Sequence, residues 1–255
     1  MQYKNDILLK MSRSDILIII AFAYSDIANL ELSSCSSDII LIRQHFQQVK
    51  ELNVLTDLPY NPDFCDPENY FNVTNCLDIY SFFRNYDDVE DHQRIILYYT
   101  GHLDCNGLTI TKELSLRMEF LKQTLCRTFG TKPHYLMLFD CCGSLELQLD
   151  FSFELSSDRF VLRRDYTGDD SKYHLLLIAS TSCKGSSLAL NHSFFTWAFC
   201  NCIQSRIEKM SQLQVKIQDL IDLQISKSGS LRQQNFVIYS SRRIGTDLQP
   251  WLEIQ

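Results

Sequence analysis

The sequence predicts an α/β fold: a mostly parallel six-stranded sheet with helices on both faces. Three observations carry this. Strand-like and helix-like segments alternate along the chain, the pattern of a parallel sheet joined by crossover helices. Several strand-like segments are continuous apolar runs, as expected where a sheet is covered on both sides. And 45% hydrophobic with 22% charged residues over 255 positions supplies the core that one generous domain needs.

The elements follow in order. Ile16–Phe22 is an Ile-rich apolar run and reads as a buried strand. Ser36-Ser37-Asp38 precedes a periodic stretch, Ile39 to Lys50, which reads as a helix with a cap signal at its start. Asn53–Leu55 is a short strand, and Pro59–Pro67 a loop. A second helix runs from about Thr74 to Phe83. Ile95–Thr100 is a strand followed by a turn, Gly101 to Asp104, and Lys112–Phe129 has helical periodicity up to Gly130. Tyr135–Phe139 and Leu175–Ala179 are strands, His192–Ile203 and Leu213–Ile225 helices, and Phe236–Tyr239 the last strand.

One departure from simple alternation stands out. Leu145 to Leu155 alternates apolar and polar residues, and Ser156-Ser157-Asp158 can turn it into a second strand at Phe160–Leu162. The expectation is a β-hairpin insertion, residues 145–172, in a single domain spanning 1–255, with residues 1–13 as an N-terminal extension. No internal repeat or linker divides the chain.

A net charge of −7 and no long Lys/Arg block argue against a general nucleic-acid surface. The run Ile16 to Ala23 is too short to cross a bilayer and lacks the pattern of a secretory signal, so neither membrane nor export is expected. The ten cysteines are scattered, without Cys-x-x-Cys units or zinc spacing. In the absence of an export signal they read as free thiols in a reducing, cytoplasmic compartment.

In open parallel sheets, functional groups gather beyond the C-terminal ends of the strands. Three such ends carry reactive side chains here. Ile95–Thr100 delivers His102; Tyr135–Phe139 delivers Asp140, Cys141 and Cys142; Leu175–Ala179 ends in Ser180-Thr181-Ser182-Cys183. A Cys and a His on one sheet edge are the minimum for a thiolate nucleophile with an acid–base partner. The bland readings are a satisfied turn histidine and a packed thiol.

The residues then resemble a known family, the caspase and metacaspase cysteine peptidases. Ile95 to His102, I-I-L-Y-Y-T-G-H, resembles the family's Y-Y-S-G-H-G histidine loop. Leu138 to Ser144, L-F-D-C-C-G-S, is similar to the metacaspase D-x-C-H-S-G nucleophile loop, with Cys142 in the catalytic place. Leu32 to Asp38 resembles the L-x-G-C-x-N-D segment that opens the first helix in metacaspases. I-A-S-T-S-C and H-S-F-F-T-W-A, between Leu177 and Ala198, resemble the fifth strand and its helix. Q-Q-N-F-V-I-Y-S-S, from Gln233, resembles the closing strand. His102 and Cys142 lie forty positions apart, compatible with the roughly 50 typical of caspases.

The resemblance implies a caspase-like three-layer sandwich and an endopeptidase working through an acyl-enzyme. Cys142 attacks the scissile carbonyl, and His102 protonates the leaving amine and later activates water. The oxyanion is held by the N–H groups of Cys142 and Leu103. Leu103 replaces the family's Gly, which matters only if the turn needs positive φ; Gly143 replaces the usual His or Arg. The positions matching the acidic specificity pocket are Asp38 and Asp140, with Ser180 as a further substrate-binding position. Two carboxylates suit an Arg or Lys side chain, and the loop Tyr24–Ser37 has no Arg or Lys of the kind that selects Asp. The implied partner is a protein or peptide substrate. The metacaspase pattern further implies a monomer and calcium dependence, although no ligand set maps onto these residues, and self-cleavage is expected near Arg163-Arg164. Two alternatives compete: an inactive caspase-like regulator that acts by binding, and a flavodoxin-like or receiver-like domain, which the lack of a Gly-rich phosphate loop disfavours.

Overall fold

The structure, a computed structural model, describes residues 15–252 except 26, 28–29, 50, 87–93, 105–106, 112–113, 143–148, 164–172, 182–187, 190, 206, 231–232 and 249–250. A mostly parallel sheet is sandwiched between helices, as expected, but it has nine strands rather than six. Its parallel part consists of β1 (Ile16–Ala21), β2 (Glu51–Thr56), β3 (Tyr70–Asn72), β4 (Arg94–Thr100), β8 (His134–Asp140) and β11 (His174–Ala179), in the spatial order β3-β2-β1-β4-β8-β11. The antiparallel β12 (Val237–Ser240) follows, and then the hairpin β9 (Phe151–Glu154) and β10 (Arg159–Leu162).

Two additions account for the extra strands. β3 has only three residues, too few for alternation to show, and it sits between the Pro59–Pro67 loop and the second helix, where the sequence reading assigns no element. The hairpin is present, closed by Asp158 in the left-handed conformation (φ 45°). It is more than an insertion, because Tyr239 pairs with Ser152 and Ser240 with Phe151, so β9 extends the sheet beyond β12. The remaining parts of the expected insertion, residues 145–148 and 164–172, and the extension 1–13 lie outside the described residues.

The strands alternate their side chains between two cores. On one face Leu17, Ile19, Ile96, Tyr98, Leu136, Leu138 and Ile178 pack with α1 (Cys35–His45), α4 (Phe194–Ile203) and α5 (Met210–Ser228). On the other, Ile18, Ile20, Leu97, Tyr99, Met137, Phe139 and Leu177 pack with α2 (Cys76–Arg84) and α3 (Met118–Phe129). Every residue of β1 is fully buried, and each Ile or Leu so enclosed contributes about 2 kcal/mol of transfer free energy. This is why the strand reads as an unbroken apolar run.

Two sequence expectations need correcting. The first helix begins at Cys35, before the expected Ser36–Asp38 cap; Ser34 stands at the N-cap without a side-chain cap bond. Asp38 therefore lies inside the first turn and its carboxylate is directed elsewhere. The helical reading of Lys112–Phe129 holds only from Met118. Ahead of it, β5 (Leu103–Asp104), β6 (Gly107–Thr111) and β7 (Leu114–Leu116) form a small antiparallel sheet. The expected turn at Gly101 to Asp104 thus runs straight into β5. Gly107 is required there: at φ 135° a Cβ would come 2.3 Å from the Leu116 carbonyl oxygen.

Candidate active site

The sheet places His102 and Cys142 at matching positions. In the parallel β4–β8 ladder Thr100 is opposite Asp140, and each reactive residue lies two positions beyond its member of that pair. The Gly101 N–H donates to the Asp140 carbonyl (3.3 Å), which continues the ladder past the strand ends. Adjacent strands run about 4.8 Å apart, so the two side chains share one edge of the sheet.

His102 is held at several points. Its Nε2 is 2.8 Å from the Leu30 carbonyl oxygen. A carbonyl only accepts, so Nε2 is the donor in this contact, and in a neutral imidazole Nδ1 then bears the lone pair. The backbone N–H donates to the Tyr24 hydroxyl (3.0 Å), and the carbonyl accepts from the Tyr99 hydroxyl (2.6 Å) and the Thr109 N–H (2.9 Å). The imidazole lies against the Tyr24 ring, centroids 5.0 Å apart. Gly101 is needed for space: a Cβ there would come 2.5 Å from the Tyr99 hydroxyl and 3.0 Å from that of Tyr24.

Leu103 takes up an extended conformation in β5. Among the described non-glycine residues only Tyr24 and Asp158 have positive φ, so the replacement of Gly by Leu introduces no strain. The bond from the Thr109 N–H to the His102 carbonyl makes Leu103 and Leu108 a non-hydrogen-bonded pair. The Leu103 N–H therefore points away from β6.

The two cysteines after β8 differ. Cys141 is 1% exposed and burial pushes its thiol well above the ordinary range, whereas Cys142 is half-buried. The Cys141 backbone is fastened on both sides. Its N–H donates to the Ser180 hydroxyl (3.0 Å), and its carbonyl accepts from that hydroxyl (2.9 Å) and from that of Thr181 (3.1 Å). Ser180 is fully buried, and its hydroxyl bonds the loop that carries Cys142. Gly143 lies outside the described residues. Cys35, Cys65, Cys76, Cys200 and Cys202 are buried free thiols, each raised by burial, the behaviour of packed rather than reactive cysteines.

Asp38 and Asp140 are brought together at the first turn of α4. The Ser193 N–H donates to Asp38 Oδ1 (3.0 Å), while the Ser193 hydroxyl donates to Asp140 Oδ2. Asp140 Oδ2 also accepts the Thr196 N–H (3.2 Å) and hydroxyl (2.6 Å), capping the helix from outside, where its dipole favours an anion. The Tyr98 hydroxyl in turn bonds that of Thr196 (2.7 Å). Burial first, and the Asp140 charge in addition, push the Asp38 carboxyl up to about 6, against the pull of His192 and Ser193. His192 Nδ1 is 3.8 Å from Asp38 Oδ1, and the pairing raises the imidazole above its ordinary value.

Sequence reasoning missed Tyr24, Leu30, Asp57, Tyr99, His192, Ser193 and Thr196. The strand-end rule contained a signal for two of them, since Tyr24 and Asp57 follow β1 and β2 at the same sheet edge. Among the described residues, no group of three or more His, Cys, Asp or Glu converges to hold a metal ion. No helix of the described residues is long and apolar enough to cross a membrane.

Comparisons with known proteins agree with this geometry. The caspase domain family model (peptidase family C14) matches residues 15–243. The solved structure of caspase-1 from Spodoptera frugiperda superposes with a TM-score of 0.58 at 15% identity, covering 94% of this chain and 91% of that one; at that identity the likeness is one of fold. No curated protein matches. With the family model spanning nearly the whole sheet and both strand ends that carry His102 and Cys142, the chain belongs to the caspase domain family of cysteine peptidases.

Proposed function

We propose that this protein is a metacaspase-like cysteine endopeptidase that cuts after Arg or Lys through a Cys142–His102 dyad. One observation carries the reading: His102 and Cys142 stand at equal offsets beyond paired positions of β4 and β8, with His102 Nε2 committed to the Leu30 carbonyl and Nδ1 left for chemistry.

The steps follow from that arrangement. His102 Nδ1 draws the proton from Cys142, and the thiolate, the reactive form, attacks the scissile carbonyl. The N–H groups of Leu103 and Cys142 stabilise the oxyanion; each such donor is worth about 10²–10³ in rate. The imidazolium returns its proton to the leaving amine, giving an acyl-enzyme, and then activates the water that releases it. Ser180 serves this site by fixing the loop that carries Cys142.

Asp38 and Asp140 supply the negative charge for a basic side chain ahead of the cut. Asp38 Oδ2 has no hydrogen-bond partner, and an entering guanidinium replaces the His192 contact and completes the carboxylate. Calcium dependence enters this reading through the metacaspase resemblance alone, and no step depends on it. The covered edge of β12 favours a monomer: β9 of the same chain occupies the side on which a second copy could pair.

The test is hydrolysis of fluorogenic peptides ending in Arg, Lys or Asp, with and without calcium, by wild type and Cys142→Ala. Cleavage after Arg and Lys, abolished by the substitution, supports the reading. No cleavage by wild type under either condition refutes it and favours a caspase-domain protein that acts by binding. An intact single band after prolonged incubation with calcium would count against self-cleavage near Arg163-Arg164.

A further inference from the structure

Resting on the dyad proposed above, we propose that Tyr24 is a positioning residue that sets the tautomer and orientation of His102, and that Asp57 holds Tyr24 in the backbone conformation this requires. The residue at the end of β1 contacts the histidine in three ways. Its ring lies against the imidazole, its hydroxyl accepts the His102 N–H, and its carbonyl begins the turn that supplies the Leu30 oxygen.

The third route runs through the backbone. The Ile27 N–H donates to the Tyr24 carbonyl (2.9 Å), and the Leu30 N–H donates to the Ile27 carbonyl (3.1 Å). The Leu30 carbonyl then receives His102 Nε2–H. The Leu32 N–H returns to the Ala23 carbonyl (2.8 Å) and closes the loop. The position of the acceptor that fixes the histidine tautomer is thus set from Tyr24.

This arrangement carries a cost. Tyr24 has φ 53°, a left-handed conformation that bulky residues rarely adopt, and such strain persists only where the surroundings over-determine it. The restraint is Asp57, at the end of the neighbouring β2. One carboxylate oxygen takes the Ala23 N–H (2.8 Å) and the other the Tyr24 N–H (2.7 Å). These bonds hold the two successive peptide groups that lead into the strained residue. The Tyr24 hydroxyl is committed as well, donating to the Thr109 carbonyl in β6 (2.5 Å). With the side chain 2% exposed, water cannot take over these contacts. A Gly at position 24 would adopt the same φ without strain, but it would give neither the ring nor the hydroxyl.

The test compares Tyr24→Phe, Tyr24→Ala and Asp57→Asn with wild type. Tyr24→Phe keeps the stacked ring and removes the hydroxyl. Loss of the hydroxyl's two buried hydrogen bonds, one of them to the His102 N–H, lowers kcat about tenfold, while KM changes less than twofold because no substrate contact is touched. Tyr24→Ala loses more than Tyr24→Phe. Asp57→Asn, which retains one acceptor, falls between wild type and Tyr24→Ala. A spectroscopic arm needs no turnover: 15N-histidine spectra in the Cys142→Ala background, with His102→Ala to assign the signal. There the parent shows one Nε2–H tautomer for His102, and Tyr24→Phe gives averaged tautomer shifts. Unchanged His102 signals in Tyr24→Phe, or a loss confined to KM, would overturn the proposal. A wild type that cuts no peptide would defeat the peptidase reading and leave the spectroscopic arm to decide the role of Tyr24.

Discussion

Replacing Ser180 by Ala separates two roles for that residue, a substrate contact and a clamp on the nucleophile loop. The Ser180 hydroxyl bonds both the N–H and the carbonyl of Cys141. Thr181 still serves the carbonyl in the variant, so the loss falls on the Cys141 N–H. Cys141 is 1% exposed and Ser180 fully buried, so water does not reach the orphaned donor. A buried unsatisfied donor costs about 1–3 kcal/mol. Near 2 kcal/mol, and at roughly 2–4 °C per kcal/mol for a chain of this size, the melting temperature falls by about 4–8 °C. The nucleophile loop loosens at the same time, and kcat drops by a similar factor for Arg and Lys peptides. Differential scanning calorimetry and initial-rate kinetics read both effects. A melting temperature within 1 °C of wild type, with a rise in KM for one side chain alone, would refute the clamp and restore the substrate contact.

Three further outcomes follow from the same geometry. The Asp38 carboxyl ionises near pH 6, so kcat/KM for Arg peptides climbs through that pH, and Asp38→Asn flattens the limb in a pH profile. The sign for stability is opposite. Because the folded value lies above the ordinary one, the folded state binds the extra proton between about pH 4 and 6, so wild type gains stability relative to Asp38→Asn as pH falls through that window. Leu103→Pro removes the proposed oxyanion donor and lowers kcat by about 10²–10³, whereas Leu103→Gly keeps the N–H and stays within a few-fold; equal rates for the two would exclude the donor. Gly101→Ala drives a methyl group into the Tyr99 and Tyr24 hydroxyls, so it displaces His102 and reduces turnover more than it lowers the melting temperature.

The parts of the fold that could be read from the sequence are those buried on both faces. β1 and the central stretches of β4, β8 and β11 are unbroken apolar runs because alternate side chains enter one of two cores, and no competing pattern imitates them. β3 could not be read, since three residues beside a proline-rich loop show no periodicity. The small sheet β5–β7 was hidden differently: Leu114 and Leu116 fall at spacings that also fit a helix continuing from Met118. The hairpin was legible in its alternation, but its docking on β12 was not, because pairing partners some 90 positions apart leave no local mark.

The site divides in the same way. His102 and Cys142 follow from strand ends and a family resemblance. Tyr24 and Asp57 act on residues more than thirty positions away, largely through backbone N–H and carbonyl groups, and side-chain patterns are silent about those. Asp38 was expected at a helix cap or a specificity pocket. The structure turns it toward Ser193 and His192, a pairing of the first and fourth helices that only the folded sheet creates.

The central claim is that Cys142 is a nucleophile activated by His102. Labelling with a peptidyl acyloxymethyl ketone carrying Arg, read by intact mass and peptide mapping, tests it most directly. One adduct per chain on Cys142, lost in Cys142→Ala and strongly slowed in His102→Ala, is the result predicted. Failure of wild type to label, or an adduct on another cysteine, would contradict it.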